Sequence, residues 1–241
     1  VNLKKHFSEN HDYILCYAKK LDNLVSNGLS RSESANSRYK NLDNDPRGVW
    51  QSSDLSVGPA INEKIYEIIT PSGKSIYPPD GRCWLYDKKR LQEMIDDNRI
   101  WFGASGNNVP RVKKFLSEVK NTMTPMTIWK YTEVGHSQDA AQRLKELFDG
   151  YDYFDYPKSV NLIKRMIELY TNKDSIILDF FSGSATTAHA VMQLNAEDGG
   201  NRKFIMVQLP EVTDEKSEAY KAGYKNICEI GKERIRRAGD K

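Results

Sequence analysis

The segment DSIILDFFSGSATTAHAVMQLN, residues 174–195, contains the side chains of this sequence that are best suited to surround a ligand. Its first residues, Ile176–Phe180, are mostly β-forming and predict a buried strand. The side chains then become small from Ser182 to Ala185, which allows a ligand to touch the backbone. A helix follows, and its first turn offers free backbone N–H groups. Strand, tight loop and helix in this order predict a nucleotide-type binding site.

Several loop types share this outline, and their motifs separate them. The loop is not a dinucleotide fingerprint, because G-x-G-x-x-G is absent and Gly183 stands alone. It is not a Walker A loop either, since the ending Gly-Lys-Ser/Thr is missing. A turn of small residues without a ligand remains one interpretation. The other is a methyltransferase loop, in which Asp-x-Phe-x-Gly holds the amino acid portion of S-adenosylmethionine.

The elements around the loop predict the sheet that positions it. In residues 151–241, FDYPKSVNLIKRMIELY predicts a helix before the strand, and NRKFIMVQLPE predicts a second strand after the helix of the loop. This order predicts a parallel sheet with a right-handed crossover. Ligands bind such sheets beyond the carboxyl ends of the strands, where the loop lies. The last 26 residues, from Lys216, predict a surface helix.

The middle of the chain predicts a second, mixed region. KIYEIITPSGKSIYPP predicts a hairpin around Pro71–Gly73, YDKKRLQEMIDDN a helix and RIWFG a short strand. NVPRVKKFLSEVKN predicts a second helix, with apolar residues at i, i+3, i+4 and i+7 from Val112 and lysines outside that stripe. These lysines form either a solvated face or a phosphate-contacting surface together with Arg111 and the cluster Lys88, Lys89 and Arg90.

The first 62 residues divide into two stretches. HDYILCYAKK, residues 11–20, is apolar on both alternating faces and predicts a buried strand of a larger sheet. Residues 21–62 have no sustained period and predict a connector with local helical turns.

Composition limits the classes of function. With 241 residues, the chain can form one core, or one core and a smaller module. No apolar run approaches the roughly 20 residues of a membrane span, so we expect no membrane partner. Three distant cysteines without C-x-x-C spacing predict reduced thiols and a cytoplasmic location. His6 and His11 have no third ligand placed beside them, so we expect no metal site.

Five segments together resemble one family. LDFFSGSATTAHAVMQLN, FDYPKSVNLIKRMIEL, FIMVQLPE, HFSENHDYILCYAK and TIWKYTEVGHSQDAAQRLKELF resemble the modification (Mod) subunit of type III restriction-modification systems. The resemblance implies an α/β fold: an incomplete Rossmann-like, S-adenosylmethionine-dependent methyltransferase sheet with an inserted α+β target-recognition region. Residues 1–20 would end the catalytic half, residues 21–150 would form the connector and DNA target-recognition region, and residues 151–241 would bind S-adenosylmethionine.

The resemblance also implies site residues. The cofactor loop and its helix would be Asp179, Phe180, Phe181, Ser182, Gly183, Ser184, Thr186 and Thr187, with the two threonines capping the helix. The methionine end would also be lined by Tyr156, Pro157, Lys158 and Ser159. The ribose hydroxyls would meet Gln208, which replaces the usual acid, or Glu211 as its substitute. The expected DNA contacts are Arg47, Lys88, Lys89, Arg90, Arg111, Lys113 and Lys114.

The catalytic motif of the family is missing from this sequence. The family transfers the methyl group with Asp/Asn-Pro-Pro-Tyr/Phe, and YPPDG at residues 77–81 has the wrong order. We therefore expect no catalytic residue here, and a C-terminal fragment that is inactive alone. The implied function is transfer of a methyl group from S-adenosylmethionine to a flipped adenine. The implied partners are double-stranded DNA, a second copy of the full-length subunit and a nuclease-helicase restriction subunit. A non-catalytic DNA-binding or assembly module and a small-molecule methyltransferase remain alternatives.

Overall fold

The protein is described by a computed structural model that covers residues 6–7 and 10–240. The chain divides into two compact units. Unit 1 combines the residues up to Leu29 with Thr124–Lys241, and unit 2 is Ser30–Met123. The described residues contain no helix that is both long enough and apolar enough to cross a membrane.

The helices and strands of the chain are mostly short. The helices are α1 (Glu33–Asn36), α2 (Lys88–Asp96), α3 (Tyr131–Val134), α4 (Ser137–Leu147), α5 (Val160–Tyr170), α6 (Thr186–Asp198), α7 (Glu218–Lys221) and α8 (Ile227–Gly239). The strands are β1 (Leu29–Ser30), β2 (Trp50–Asp54), β3 (Ser56–Val57), β4 (Ile68–Ile69), β5 (Ser75–Ile76), β6 (Cys83–Trp84), β7 (Ile100–Trp101), β8 (Arg111–Phe115), β9 (Thr122–Met123), β10 (Ile176–Asp179) and β11 (Lys203–Met206). Helices α3 and α4 fall in unit 1, although they precede residue 151.

Unit 1 is built around the parallel pair β10 and β11. Ile176 lies opposite Lys203 and Asp179 opposite Met206, and α6 connects the two strands. Ile177 and Phe204 pack against an apolar cluster contributed by α5 and α6. The predicted helix, strand, helix and parallel strand of this segment are therefore confirmed.

The C-terminal part of unit 1 corrects one expectation. Helix α8 is not only a surface helix, because Ile230, Gly231 and Arg234 on one of its faces are buried. Ile230 belongs to an apolar cluster with Leu144 and Phe148 of the α4 region. The buried face of α8, at positions i, i+1 and i+4 from Ile230, therefore packs against the rest of unit 1.

Unit 2 contains an antiparallel sheet in the order β2, β8, β7, and two further strand pairs. The predicted hairpin is confirmed, since β4 and β5 pair on either side of a turn that contains Gly73 at φ 85°. The predicted helix is also confirmed as α2, whose Leu91 and Met94 are buried. Leu55, Trp84 and Val112 lie in the same core.

The predicted helix in NVPRVKKFLSEVKN is wrong. Its first half is the strand β8, which pairs with β2 on one side and β7 on the other. A central strand buries both faces, so Val112 and Lys113 are both buried, and the spacing that imitated a helical stripe arose by coincidence. The prediction that Lys113 lies on an exposed face is wrong for the same reason.

The N-terminal expectations are corrected as well. Trp50–Asp54 and Ser56–Val57 are paired strands rather than part of a connector. HDYILCYAKK forms no strand in the structure, and Tyr13, Leu15 and Tyr17 are exposed. A strand that is apolar on both faces needs a neighbour on each side, and none of the described strands pairs with this segment.

Candidate functional site

The loop between β10 and α6, residues 180–185, begins at the carboxyl end of β10 in unit 1. Two of its residues adopt left-handed backbone conformations, Gly183 at φ 49° and Ala185 at φ 61°. A Cβ built on Gly183 would lie 3.1 Å from Cζ of Phe154. Glycine is therefore favoured at position 183 by both its backbone angle and the aromatic ring beside it.

Asp179 ties the two ends of the loop together. Its Oδ1 accepts a hydrogen bond from the backbone N–H of Phe181 at 3.1 Å, and its Oδ2 accepts one from the Thr187 hydroxyl at 2.5 Å. The carboxylate thus spans the start of the loop and the first turn of α6. Removing it would free both ends of the loop at once.

The end of β11 holds the centre of the loop. Ser182 N–H donates to the Val207 carbonyl at 3.1 Å, and Gly183 N–H donates to Oε1 of Gln208 at 2.7 Å. The amide nitrogen of Gln208 donates to the Leu209 carbonyl at 3.3 Å. Both polar atoms of the Gln208 side chain therefore already have hydrogen-bond partners in this structure. Glu211, by contrast, is exposed three residues further on.

Helix α8 also contacts the loop, through Arg234. The sequence analysis did not identify this residue. One nitrogen of its guanidinium donates to the Ser184 hydroxyl and the Thr186 hydroxyl, both at 2.8 Å. Burial lowers the pKa of Arg234 to about 10. Helical spacing in the sequence could have indicated that Arg234 is buried, because Ile230, Gly231 and Arg234 share one face of α8 while Arg236 is exposed.

The expected capping role of the two threonines is wrong. The N-cap residue of α6 is Ala185, and no side chain caps the helix. Thr186 instead accepts from Arg234, and Thr187 donates to Asp179. The hydroxyls therefore shape the loop rather than close the helix end.

The other residues expected around the cofactor are partly exposed and partly buried. Phe180 and Phe181 are exposed, with ring centroids 5.0 Å apart. Tyr156 is exposed at φ 54°, Lys158 pairs with Asp12 at 3.3 Å, and Pro157 and Ser159 are buried immediately before α5. A cavity of about 320 Å³ adjoins the loop and is lined mainly by α5, β10 and the two phenylalanines, with Asp179 and Thr187 as its polar walls.

The expected DNA-contacting residues all lie in unit 2 and fall into two groups. Lys88, Lys89, Arg90, Arg111 and Lys114 are exposed; Arg90 pairs with Glu93 and Arg111 with Asp54, both at 2.9 Å. Arg47 and Lys113 belong to an internal charge network instead.

In that network, Arg47 donates to Asp45 at 2.8 Å and holds the pKa of that carboxyl well below its ordinary value. Lys113 is fully buried beside Asp43 and Asp45, with its ammonium over the rings of Trp50 and Trp101. These contacts already neutralise both cations, which removes Lys113 from any surface. No cluster of three or more His, Cys, Asp or Glu suited to a metal ion occurs in the described part of the chain.

Comparison with known proteins gives the family of the chain. Residues 1–235 match the family model N6_N4_Mtase, described as DNA methylase. The Mod subunit of the type III restriction-modification enzyme StyLTI of Salmonella typhimurium is 34% identical over 95% of this chain and 34% of its own length. The EcoPI Mod subunit of Escherichia phage P1 is 32% identical over 95% of this chain and 39% of its own length.

A relative from another restriction class extends the match. The type II methyltransferase M.KpnI of Klebsiella pneumoniae is 35% identical over 69% of this chain and 39% of its own length. The chain thus spans between a third and two fifths of the length of these relatives. The matches confirm the resemblance to type III Mod subunits. The chain belongs to the DNA methylase family of N6 and N4 methyltransferases.

Proposed function

We propose that this chain provides the cofactor-binding and DNA-reading parts of an adenine-specific DNA methyltransferase of a restriction-modification system, with S-adenosylmethionine as the methyl donor. The observation that carries the proposal is the loop at residues 180–185, placed at the carboxyl end of a parallel strand and tied by Asp179. Family membership supplies the reaction class.

The residues of the loop fit the amino acid portion of this cofactor. Gly183 gives the loop the left-handed turn that lets its backbone approach a ligand, and Phe181 of the same loop carries an exposed ring. Tyr156, Pro157, Lys158 and Ser159 would line the methionine end. When bound, the cofactor supplies an electrophilic methyl group on a sulfonium. The role of this chain is to bind the cofactor and orient its methyl group, and this transfer needs no metal.

For the ribose hydroxyls we propose Glu211 rather than Gln208. The carbonyl oxygen of the Gln208 side chain already accepts from Gly183 N–H, and its nitrogen donates to Leu209. Glu211 is exposed and carries a charge that accepts hydroxyl hydrogen bonds strongly. Glu211→Gln should therefore weaken binding of S-adenosylmethionine without loosening the loop, whereas Gln208→Ala should do both.

The finer fold follows from the uncovered face of the strand pair. Ile176, Leu178, Ile205 and Val207 are exposed on the side of β10 and β11 away from α5 and α6. An apolar sheet face normally packs against another layer. We infer that β10 and β11 are part of a Rossmann-like methyltransferase sheet, and that residues 1–20 belong to its catalytic half.

We assign DNA reading to the region of residues 21–150, and within it to unit 2. Lys88, Lys89, Arg90, Arg111 and Lys114 are exposed cations there, and such side chains contact DNA phosphates. Double-stranded DNA is therefore the proposed substrate. A restriction subunit and a second copy of the full-length protein are the further proposed partners, since the matched relatives are named as Mod subunits of restriction-modification enzymes.

The test is calorimetric titration of this chain with S-adenosylmethionine. We expect micromolar binding that Asp179→Ala abolishes, because the substitution releases both ends of the loop. Asp174→Ala is the matched control, since Asp174 is exposed just before the same strand. Equal binding by the wild type and Asp179→Ala would refute the site.

A second arm separates the alternatives. Fluorescence anisotropy with a labelled DNA duplex should show salt-dependent binding. Binding of S-adenosylmethionine without DNA binding would instead indicate a small-molecule methyltransferase. DNA binding without S-adenosylmethionine binding, by a chain shown to be folded, would indicate a DNA-binding or assembly module.

A further inference from the structure

Helix α8 contacts the loop at residues 180–185 through two residues that lie one turn apart. Arg234 donates to the hydroxyls of Ser184 and Thr186, and its nitrogen also lies 3.4 Å from the Ser184 carbonyl. Gly231 lies directly beneath the loop, where a Cβ added to it would sit 3.2 Å from the Gly183 carbonyl oxygen. The two positions are buried, so this contact excludes water.

The bonding of Arg234 is unusual for a buried cation. Buried charges are normally paired with an opposite charge. The Arg234 side chain reaches hydroxyls, a carbonyl and, at 3.5 Å, Nδ1 of His189, and none of the described carboxylates forms a salt bridge with it. Burial lowers its pKa only to about 10, so the group stays charged at neutral pH. A buried cation among neutral acceptors gains less from charge pairing than one beside a carboxylate, which favours a role in the loop itself.

The geometry of a guanidinium explains what that role is. Its donors are fixed in a plane, so the oxygen atoms that it binds are fixed relative to each other. Here those oxygens belong to the last part of the loop and the first residue of α6. Gly231 adds a distance constraint, because any larger side chain would press on the Gly183 carbonyl. Together, one face of α8 sets the path of the loop from Gly183 to Thr186.

We propose that Arg234 and Gly231 are positioning residues that hold the loop in the conformation that receives the amino acid portion of S-adenosylmethionine. The inference rests on the proposed function and deepens it. It places part of the affinity for the cofactor in a C-terminal helix that begins more than forty residues after the loop. Neither residue is proposed to touch the cofactor.

The first experiment compares two ligands on matched variants. Arg234→Met keeps an unbranched apolar stem and removes the donors, and Arg236→Met makes the same change at an exposed position of α8. We expect Arg234→Met to weaken S-adenosylmethionine at least tenfold. It should weaken methylthioadenosine, which lacks the amino acid portion, less than twofold. Arg236→Met should leave both affinities unchanged. An equal loss for both ligands would indicate general damage and would overturn the proposal, as would unchanged affinity for S-adenosylmethionine.

Gly231→Ala tests the proposal without weakening the helix. Alanine is a better helix former than glycine, so α8 itself should gain stability while the added Cβ displaces the loop. We expect at least fivefold weaker binding of S-adenosylmethionine with a thermal midpoint equal to or above that of the wild type. Unchanged affinity in a folded variant would contradict a positioning role for Gly231.

Hydrogen exchange decides the case independently of any ligand. Arg234→Met should speed exchange of the backbone amides of residues 184–187, while Arg236→Met should not. If the wild type fails to bind S-adenosylmethionine, the proposed function is wrong, and this comparison still reports whether α8 fixes the loop. Equal exchange in the two variants would overturn the positioning role.

Discussion

Lys113 of unit 2 and Arg234 of unit 1 are both buried cations, and they have opposite kinds of partner. In unit 2, the ammonium of Lys113 lies beside the carboxylates of Asp43 and Asp45 and beneath two tryptophan rings. In unit 1, the guanidinium of Arg234 binds the neutral hydroxyls of Ser184 and Thr186. Burial is nearly complete in both cases, so burial alone does not distinguish their roles.

The partners distinguish them. Lys113 is neutralised by nearby acids, which makes it part of the core of unit 2 and leaves nothing for an external ligand. Arg234 gains direction from its hydrogen bonds but no opposite charge, so it constrains the atoms that it binds without closing an ion pair. We therefore expect Arg234 to position the loop and Lys113 to stabilise unit 2.

The largest effect is expected for Lys113→Met. The substitution leaves the fully buried carboxylate of Asp45 and the nearly buried one of Asp43 with one cation fewer. Breaking a buried ion pair by removing one partner costs about 3–5 kcal/mol. Urea unfolding followed by tryptophan fluorescence should show this loss in the free energy of unfolding.

Lys114→Met provides the control for that measurement. Lys114 is the next residue of β8 but is exposed, and surface substitutions usually change stability by less than about 0.5 kcal/mol. A loss of less than 1 kcal/mol in Lys113→Met would show that the remaining donors, Arg47 to Asp45 and Trp50 to Asp43, satisfy the two acids. The contrast between the buried cations would then fail.

Arg234→Met should cost less than Lys113→Met, about 1–2 kcal/mol in the free energy of unfolding. Its hydroxyl partners lose a charged donor, but they carry no charge that would be left unpaired. The same urea measurement checks this. A cost equal to or above that of Lys113→Met would mean that Arg234 is a stability residue first.

The sequence predicted the helices and strands in which apolar residues recur at a clear spacing. The strand, loop and helix around Asp179, helix α5, helix α2 and the hairpin β4–β5 were all visible in apolar spacing and turn residues. It failed at β8, because Val112, Phe115 and their neighbours fit a helical stripe equally well. A strand buried on both faces loses the alternation that would identify it.

The loop was predicted in its position but not in its support. Small residues and Gly183 indicated the loop, and Asp179, expected beside it, accepts hydrogen bonds from both of its ends. The contribution of Arg234 depends on a contact across fifty residues, which local pattern does not reveal. Lys113 shows the same limit, because the two acids that pair with it, Asp43 and Asp45, lie about seventy residues earlier in the chain.

Acid should weaken unit 2 through Asp45. Hydrogen bonds from Arg47 hold the folded pKa of this carboxyl well below its ordinary value of 3.8. A lowered folded pKa gives stability that is present above the unfolded pKa and is lost as the pH falls toward the folded one. The free energy of unfolding should therefore drop by about 1 kcal/mol between pH 6 and 3 on account of this group.

Asp45→Asn should show a shallower decline over the same range, although it is less stable at pH 6. Unfolding in urea at several pH values measures both slopes. Parallel slopes for the wild type and Asp45→Asn would show that other acids govern the acid sensitivity of unit 2.

The smallest effect separates the two neighbouring lysines of β8 by function. Lys114→Ala should weaken DNA binding two- to tenfold and lower the slope of log affinity against log salt by about 0.9, as expected for one lost phosphate contact. The free energy of unfolding should stay within about 0.5 kcal/mol of the wild type, since the side chain is exposed. Fluorescence anisotropy at several salt concentrations supplies the slope.

Lys113→Met should show the opposite pattern, with lower stability and an unchanged salt slope at temperatures where the variant is folded. The buried ammonium is paired with Asp43 and Asp45 and has no access to phosphate. Equal salt slopes for Lys114→Ala and the wild type would remove this face of β8 from the proposed DNA surface.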